Sequence, residues 1–359
     1  MATSLTGKRI SEQYTELLIR DEATKRVYTG DGTDLRLYAD TSATLAQLKF
    51  GNQAGTLVDP AASCITMGTR SGASSPVGII AIGDYASQYS TGAFNTAVGV
   101  STLSSNVSAS GTTSVGNSAF GYGALSKLLT GSNNVAVGTS AANLSTTLTT
   151  GVFIGESAGL GVSGTDVTLV GHGAASTNTW MTGCSALGAL AFNSSPSAIN
   201  NSTALGNTAQ VTGDNQVQLG NASTTTYAYG AVQLRSDIRD KTAVRDTVFG
   251  LDFIMALRPV DYKWDFRDSY VDVTDSSSNI TNVQKDGTKV GTRYHHGFIA
   301  QEVESIINAT NVDFGGYQDH SIAGGFDVKS LGYSEFIGPL VKAIQELKLE
   351  FDAYKAEHP

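Results

Sequence analysis

Two apolar or small residues followed by a glycine recur through the middle of the chain, and this feature restricts the fold more than any other. The copies include Ala81-Ile82-Gly83, Ala97-Val98-Gly99, Ala136-Val137-Gly138, Phe153-Ile154-Gly155, Leu169-Val170-Gly171, Ala186-Leu187-Gly188 and Ala204-Leu205-Gly206. Most neighbouring glycines of the series are 14 to 18 residues apart; a wider gap between Gly116 and Gly138 holds an extra copy, Ala119-Phe120-Gly121. A short fixed period means one small unit, stacked many times. Each unit reads as a short strand, a corner at the glycine where a Cβ would clash, and a stretch that returns beneath the strand. A single coil cannot bury its apolar side, so stacked coils, joined by neighbouring chains, are expected to complete the core.

Charge separates this section from the rest. Only Arg70, Asp84, Lys127, Glu156, Asp166 and Asp214 are charged between Ala61 and Gln233, in a chain with 15 % charged residues and 40 glycines in 359. The regular β-branched and apolar positions argue against disorder, which such low charge would otherwise permit. The net charge of −9 comes without a basic block, so nucleic acid is not an expected partner. The opening residues lack an apolar run of signal-peptide length, and no stretch reaches the ~18 to 20 apolar residues of a membrane span. Membrane insertion is therefore not expected. Cys64, Cys184 and the five histidines lack metal-type spacing, so neither a metal nor a cofactor is expected. Residues 1–60 have mixed charge, β-prone runs at Tyr14 to Ile19 and Leu35 to Tyr38, and a "TGDGTD" turn; they read as an attachment segment or as a cap on the repeats.

After Leu234 the glycine period stops and charge returns abruptly in "SDIRDK" (236–241). Ser236 and Lys241 fit a nucleophile and its base, while Ser236-Asp237 fits equally a turn or an N-cap. Further on, "LDFIMALRPVDYKW" (251–264) reads as a helix running into a Pro-stopped extended stretch, and "HHGFIAQEVESII" (295–307) again has helical spacing. Tyr333, Ile337, Leu340, Ile344, Leu347, Phe351 and Tyr354 follow at alternating steps of four and three. That is a heptad seam, with a helix expected from about Pro339 onward. It serves either self-association or packing on the domain's own core.

Two resemblances follow from these motifs. "TGAFNTAVGVSTL" (91–103) and "TGSNNVAVGTSAA" (130–142) resemble the glycine-rich repeats of trimeric autotransporter adhesin heads and phage tail fibres, over roughly residues 61 to 230. "SDIRDK", "LRPVDYKW", "HGFIAQEVE" and "YSEFIGPLVKAIQELK", in this order, resemble the intramolecular chaperone auto-processing domain of phage endosialidase tailspikes and tail fibres. The resemblances imply a mainly β fold: a trimeric glycine-cornered β-roll or β-helical shaft over 61–235, then an α+β chaperone domain over 236–359 that ends in a trimeric coiled-coil helix with Leu340, Ile344, Leu347 and Phe351 in its seam. They also imply self-cleavage between Arg235 and Ser236, with Ser236 as nucleophile, Lys241 as base, and Asp237 and Arg239 in support. For Lys241 to act, its pKa must fall from ~10.4 through a nearby cation, for which Arg239 is the candidate, or through burial between chains. The implied protein is a homotrimeric receptor-binding fibre of a virion, made in the host cytoplasm. Its partners are a phage tail or baseplate protein at the N-terminus and a host polysaccharide or protein receptor. The alternatives are a tailspike that degrades polysaccharide and a cell-surface trimeric adhesin. A glycosidase needs paired carboxylates, and Asp84, Glu156, Asp166 and Asp214 lie far apart in sequence.

Overall fold

The computed structural model describes residues 19–20, 27–28, 47–50, 64–72, 78–90, 92–104, 113–178, 180–195, 198–272, 278–323 and 325–358. The chain divides into two compact units, Met1–Asn193 with Ser197–Gln210 and Ser194–Pro196 with Val211–Pro359. Apart from three short strands, the attachment or capping segment expected over 1–60 lies outside the described residues.

The first unit is a β-solenoid. Its long sheet is parallel and takes one three- or four-residue strand from each coil, in chain order from Gln47–Phe50 to Thr203–Leu205. The middle residue of each strand points inward. Ala81, Ala97, Ala119, Ala136, Phe153, Leu169, Ala186 and Ala204 stand opposite one another and are 0 to 2 % exposed. The interior is thus closed by stacked coils of a single chain, without the neighbouring chains expected to complete it. The outward residues form files as well, because parallel strands in register align every second side chain. The last residues of successive strands are Met67, Ile82, Val98, Phe120, Val137, Ile154, Val170, Leu187 and Leu205.

A second parallel sheet lies on the return path of the coils, made of Leu148–Thr149, Ser163–Thr165, Trp180–Thr182 and Ala198–Asn200. Of its two outward files one is polar, Thr149, Thr165, Thr182 and Asn200, and the other holds Ser163, the exposed Trp180 and Ala198. The glycine after each long-sheet strand turns the corner. At Gly138 φ is +136°, and a Cβ would lie 2.5 Å from the carbonyl oxygen of Gly155 in the next coil. The series runs through Gly121, so the wide step falls between Gly99 and Gly121 and not between Gly116 and Gly138 as the sequence suggested. Gly116 instead turns the chain between the strands Thr113–Val115 and Ser118–Phe120.

Inside the coils runs a ladder that was not anticipated. Asn95, Asn117 and Asn134, each just before a long-sheet strand, are 0 to 1 % exposed. The side-chain oxygen of Asn95 accepts from the backbone N–H of Asn117 (2.9 Å), that of Asn117 from Asn134 (3.0 Å), and that of Asn134 from Gly151 (2.8 Å). Their amide nitrogens donate to carbonyls on the return side, Asn95 to Ser114 (2.7 Å) and Asn134 to Leu148 (2.8 Å). Buried backbone groups that the narrow corner would otherwise orphan are satisfied in this way. At Gly151 the ladder ends, because the ring of Phe153 fills the space that a side chain there would take.

The second unit carries the helices. The run from Leu251 forms α1 (Leu251–Ala256), then the strand Val260–Tyr262; His295–Gly297 is a strand antiparallel to it, followed by α2 (Ala300–Thr310). A hairpin of Tyr317–Asp319 and Lys329–Leu331 leads into α3 (Ile337–Glu357). The core is aromatic: Phe249, Phe253, Phe314 and Phe336 pack with Leu257, Val303 and Ile307. Ring centroids of 4.6 Å for Phe249 and Phe253 and 4.9 Å for Phe314 and Phe336 are close-packed geometries. The helix α3 docks through buried Pro339 and Ala343 and through Glu346, which accepts from the backbone N–H of Leu251 at 2.6 Å and caps α1. That N–H holds the Glu346 carboxyl below its ordinary range. The heptad residues Ile337, Leu340, Ile344, Leu347, Phe351 and Tyr354 are 44 to 65 % exposed, so the seam is not the surface by which α3 packs on its own domain.

Candidate self-cleavage site

Ser236 and Lys241 flank a single 3-10 turn, Ile238–Asp240. Asp237 caps that turn, accepting from the backbone N–H of Arg239 at 2.9 Å, as the N-cap reading of the motif has it. Because the turn folds the chain back, Lys241 Nζ reaches Ser236 Oγ and donates to it at 2.7 Å. A nucleophile and a base require this separation. Both side chains are exposed.

Arg239, the cation of the sequence reading, is paired with Asp237. Its guanidinium is engaged by Asp237, Nε to Oδ1 at 3.0 Å and Nη2 to Oδ2 at 2.5 Å. Each ion stabilises the other: the bond to Arg239 lowers the Asp237 pKa and the bond to Asp237 raises that of Arg239. Arg235, on the amino side of Ser236, lies 3.4 Å from Asp240 across the turn. The residues 235–241 thus bind one another and form a preformed, exposed loop.

The other three landmarks meet elsewhere. Arg258 forms an ion pair with Glu302, His296 Nδ1 lies 2.5 Å from an oxygen of Asp261 across the paired strands, and the Tyr333 hydroxyl accepts from the backbone N–H of Phe298 at 3.2 Å. Among the described residues no group of three His, Cys, Asp or Glu side chains could hold a metal ion, and no helix is long and apolar enough to cross a membrane.

Comparison with protein families agrees with the position of this loop. Residues 236–311 match the family of the chaperone of endosialidase. The match opens at Ser236, the residue on the carboxyl side of the expected cut, and extends one residue past α2. Neither the comparison with curated proteins nor the comparison with solved structures finds a match. The chain therefore joins a β-solenoid to an endosialidase-type chaperone region.

Proposed function

We propose that this chain is a structural subunit of a homotrimeric phage tail fibre that binds a host surface receptor, and that its C-terminal chaperone cuts itself off before Ser236. The observation that carries this reading is the passage of a repetitive β-solenoid into an endosialidase-type chaperone, with the Ser236–Lys241 pair at the first residues of that region. The family implies assembly as a trimer. Parallel sheets built from distant coils are slow to form, and a domain that first gathers three chains supplies register and local concentration.

The cut is a one-time step in cis. Lys241, as a free amine, takes the Ser236 hydroxyl proton while Oγ attacks the Arg235 carbonyl carbon. The C–N bond breaks, the Ser236 nitrogen receives the proton, and an ester remains. Water hydrolyses it to an Arg235 carboxylate and a serine with a free amino group. Burial of the loop by neighbouring chains converts Lys241 to the amine, so that only assembled protein is cut.

Mass spectrometry of the purified assembly and of its separated chains tests both parts. The unaltered chain is expected to give a trimer and two fragments that meet between Arg235 and Ser236. Ser236→Ala and Lys241→Arg are expected to give intact trimers; arginine keeps the hydrogen bond to Ser236 but does not act as a base. Processed Lys241→Arg protein would remove Lys241 from the mechanism, and a monomer would remove the fibre reading.

A further inference from the structure

Residues on the two sides of the expected cut hold one another directly. Thr212 and Gln216 lie before Ser236 in the chain and His320 far beyond it, yet all three meet in the second unit. Gln216 Oε1 accepts from the backbone N–H of Thr212 at 2.8 Å, so the amide nitrogen is the atom that Gln216 turns to His320 Nδ1, at 3.1 Å. Nδ1 is therefore an acceptor, and the ring proton on Nε2 is donated to Ser330 Oγ at 2.9 Å. The Thr212 hydroxyl also bonds to Nδ1. Burial lowers the His320 pKa against the pull of Asp319, in keeping with this neutral ring. Backbone adds to side chains. The N–H of Phe326 donates to the Thr212 carbonyl at 2.6 Å, and Gly325 packs on Gly213 so closely that a Cβ at 325 would lie 2.1 Å from that carbonyl oxygen and 2.8 Å from Gly213 Cα.

We infer that this cluster is a clasp that keeps the chaperone region bound to the piece ending at Arg235 once the peptide link between them is cut. The inference rests on the cleavage proposed above for its role. Thr212, Gly213 and Gln216 fall in the amino-terminal piece, and His320, Gly325 and Phe326 in the carboxy-terminal piece. Between clasp and cut run residues 223–236, all exposed, so a break there leaves the bonds of the clasp unchanged. The contact is built from both sides. A ring acceptor meets an oriented amide, and glycine backbone meets glycine backbone. The bonds that shape the receiving surface, from the His320 N–H to the Val328 carbonyl (3.0 Å) and from the Gly325 N–H to the His320 carbonyl (3.1 Å), lie wholly within the carboxy-terminal piece. A surface that keeps its own shape loses little freedom on binding. In a trimer three such clasps act together, so a copy that opens is held close while the others persist. Cutting and release are then two separate events.

The test severs the link by other means, so it does not depend on self-cleavage. In the full chain carrying Ser236→Ala, a recognition sequence for a site-specific protease is inserted after Gly230, where a Cβ meets nothing within 4 Å. The protein is cut with that protease and passed through a size-exclusion column, and the fractions are run on a denaturing gel. Both pieces are expected to elute together. With Thr212→Val and Gln216→Ala added, which leave the hairpin itself untouched, several-fold less of the carboxy-terminal piece is expected to stay with its partner. Gly325→Ala acts on the backbone contact instead and is expected to do the same. Circular dichroism of the uncut variants checks that helix and sheet persist. Separation with the clasp residues intact overturns the inference, as does full co-elution in either variant. An unaltered chain without a cut before Ser236 overturns the self-cleavage reading and leaves the clasp standing.

Discussion

At Gly138 two requirements coincide, a positive φ of +136° and a close approach to the backbone of the next coil. Gly138→Ala places a Cβ against the Gly155 carbonyl and is expected to cost at least ~1 to 3 kcal/mol, the range for a strained backbone position before the clash is added. Chemical unfolding monitored by circular dichroism measures it, with Gly230→Ala as the control, since a Cβ there meets nothing within 4 Å. Asn134 carries a different load. Its oxygen accepts from the N–H of Gly151, and its amide nitrogen donates to the side-chain oxygen of Asn117 and to the carbonyl of Leu148. Asn134→Ala takes the side-chain partner from the Gly151 N–H and the Leu148 carbonyl, each buried group left unpaired costing ~1 to 3 kcal/mol, so its unfolding midpoint is expected to fall further than that of the same change at an exposed asparagine such as Asn207. The sequence displays this ladder as asparagine, any residue, alanine, any residue, glycine at 95–99, 117–121 and 134–138. Attention to the glycine alone misses it.

Among the elements, the hairpin of the second unit carries the clearest pH signature. Asp319 and Lys329 face each other in its register, and Lys329 Nζ donates to Asp319 Oδ2 at 2.7 Å. That bond, then those from Ser321, hold the Asp319 carboxyl far below its ordinary range, and the bond to Asp319 raises the Lys329 pKa. A depressed carboxyl contributes stability that is complete above the unfolded value of ~3.9 and is lost as pH falls through the folded value. A raised lysine contributes stability that is complete below ~10.4 and is lost as pH rises through its folded value. The pair is one interaction with a plateau between these limits. Asp319→Asn is expected to lower the urea midpoint of the second unit at neutral pH and to narrow the difference between neutral and strongly acid solution. An unchanged acid dependence would show that the pair does not govern it. Element type was legible wherever period carried it: the stacked strands, α1, α2 and α3 follow the spacing of their apolar residues. This hairpin was not, because "YQDHSIAGGFDVKSL" has neither alternation nor a helical period, and its pairing is helped by the ion pairs of Lys329 with Asp319 and Asp327, by the His320–Ser330 bond and by local turns. The self-cleavage loop was legible as residues and spacing. The engagement of Arg239 by Asp237 was not, since only the fold of the turn decides which of two nearby cations a carboxylate takes.

For the whole molecule, assembly and cleavage are coupled if Lys241 is activated only by burial between chains, and α3 offers a way to separate them. Its seam residues Ile344 and Leu347 are 65 and 54 % exposed, whereas Ala343 is buried and Glu346 caps α1. Charges at the seam therefore leave docking on the subunit's own domain intact and put like charges together wherever copies meet. Ile344→Asp with Leu347→Asp is expected to lower the mass of the particle from trimer towards monomer while the helical signal of the second unit persists. In that variant the Ser236–Lys241 loop keeps its local bonds, all of which lie within residues 235–241. If the loop were competent by itself, the monomer would still be cut. If burial supplies the amine, the monomer stays full length, and raising the pH towards the ordinary lysine range is expected to restore slow cutting, because the free-amine fraction grows tenfold per pH unit below the pKa. Rapid cutting of the monomer at neutral pH would uncouple cleavage from assembly and assign the control to the loop alone.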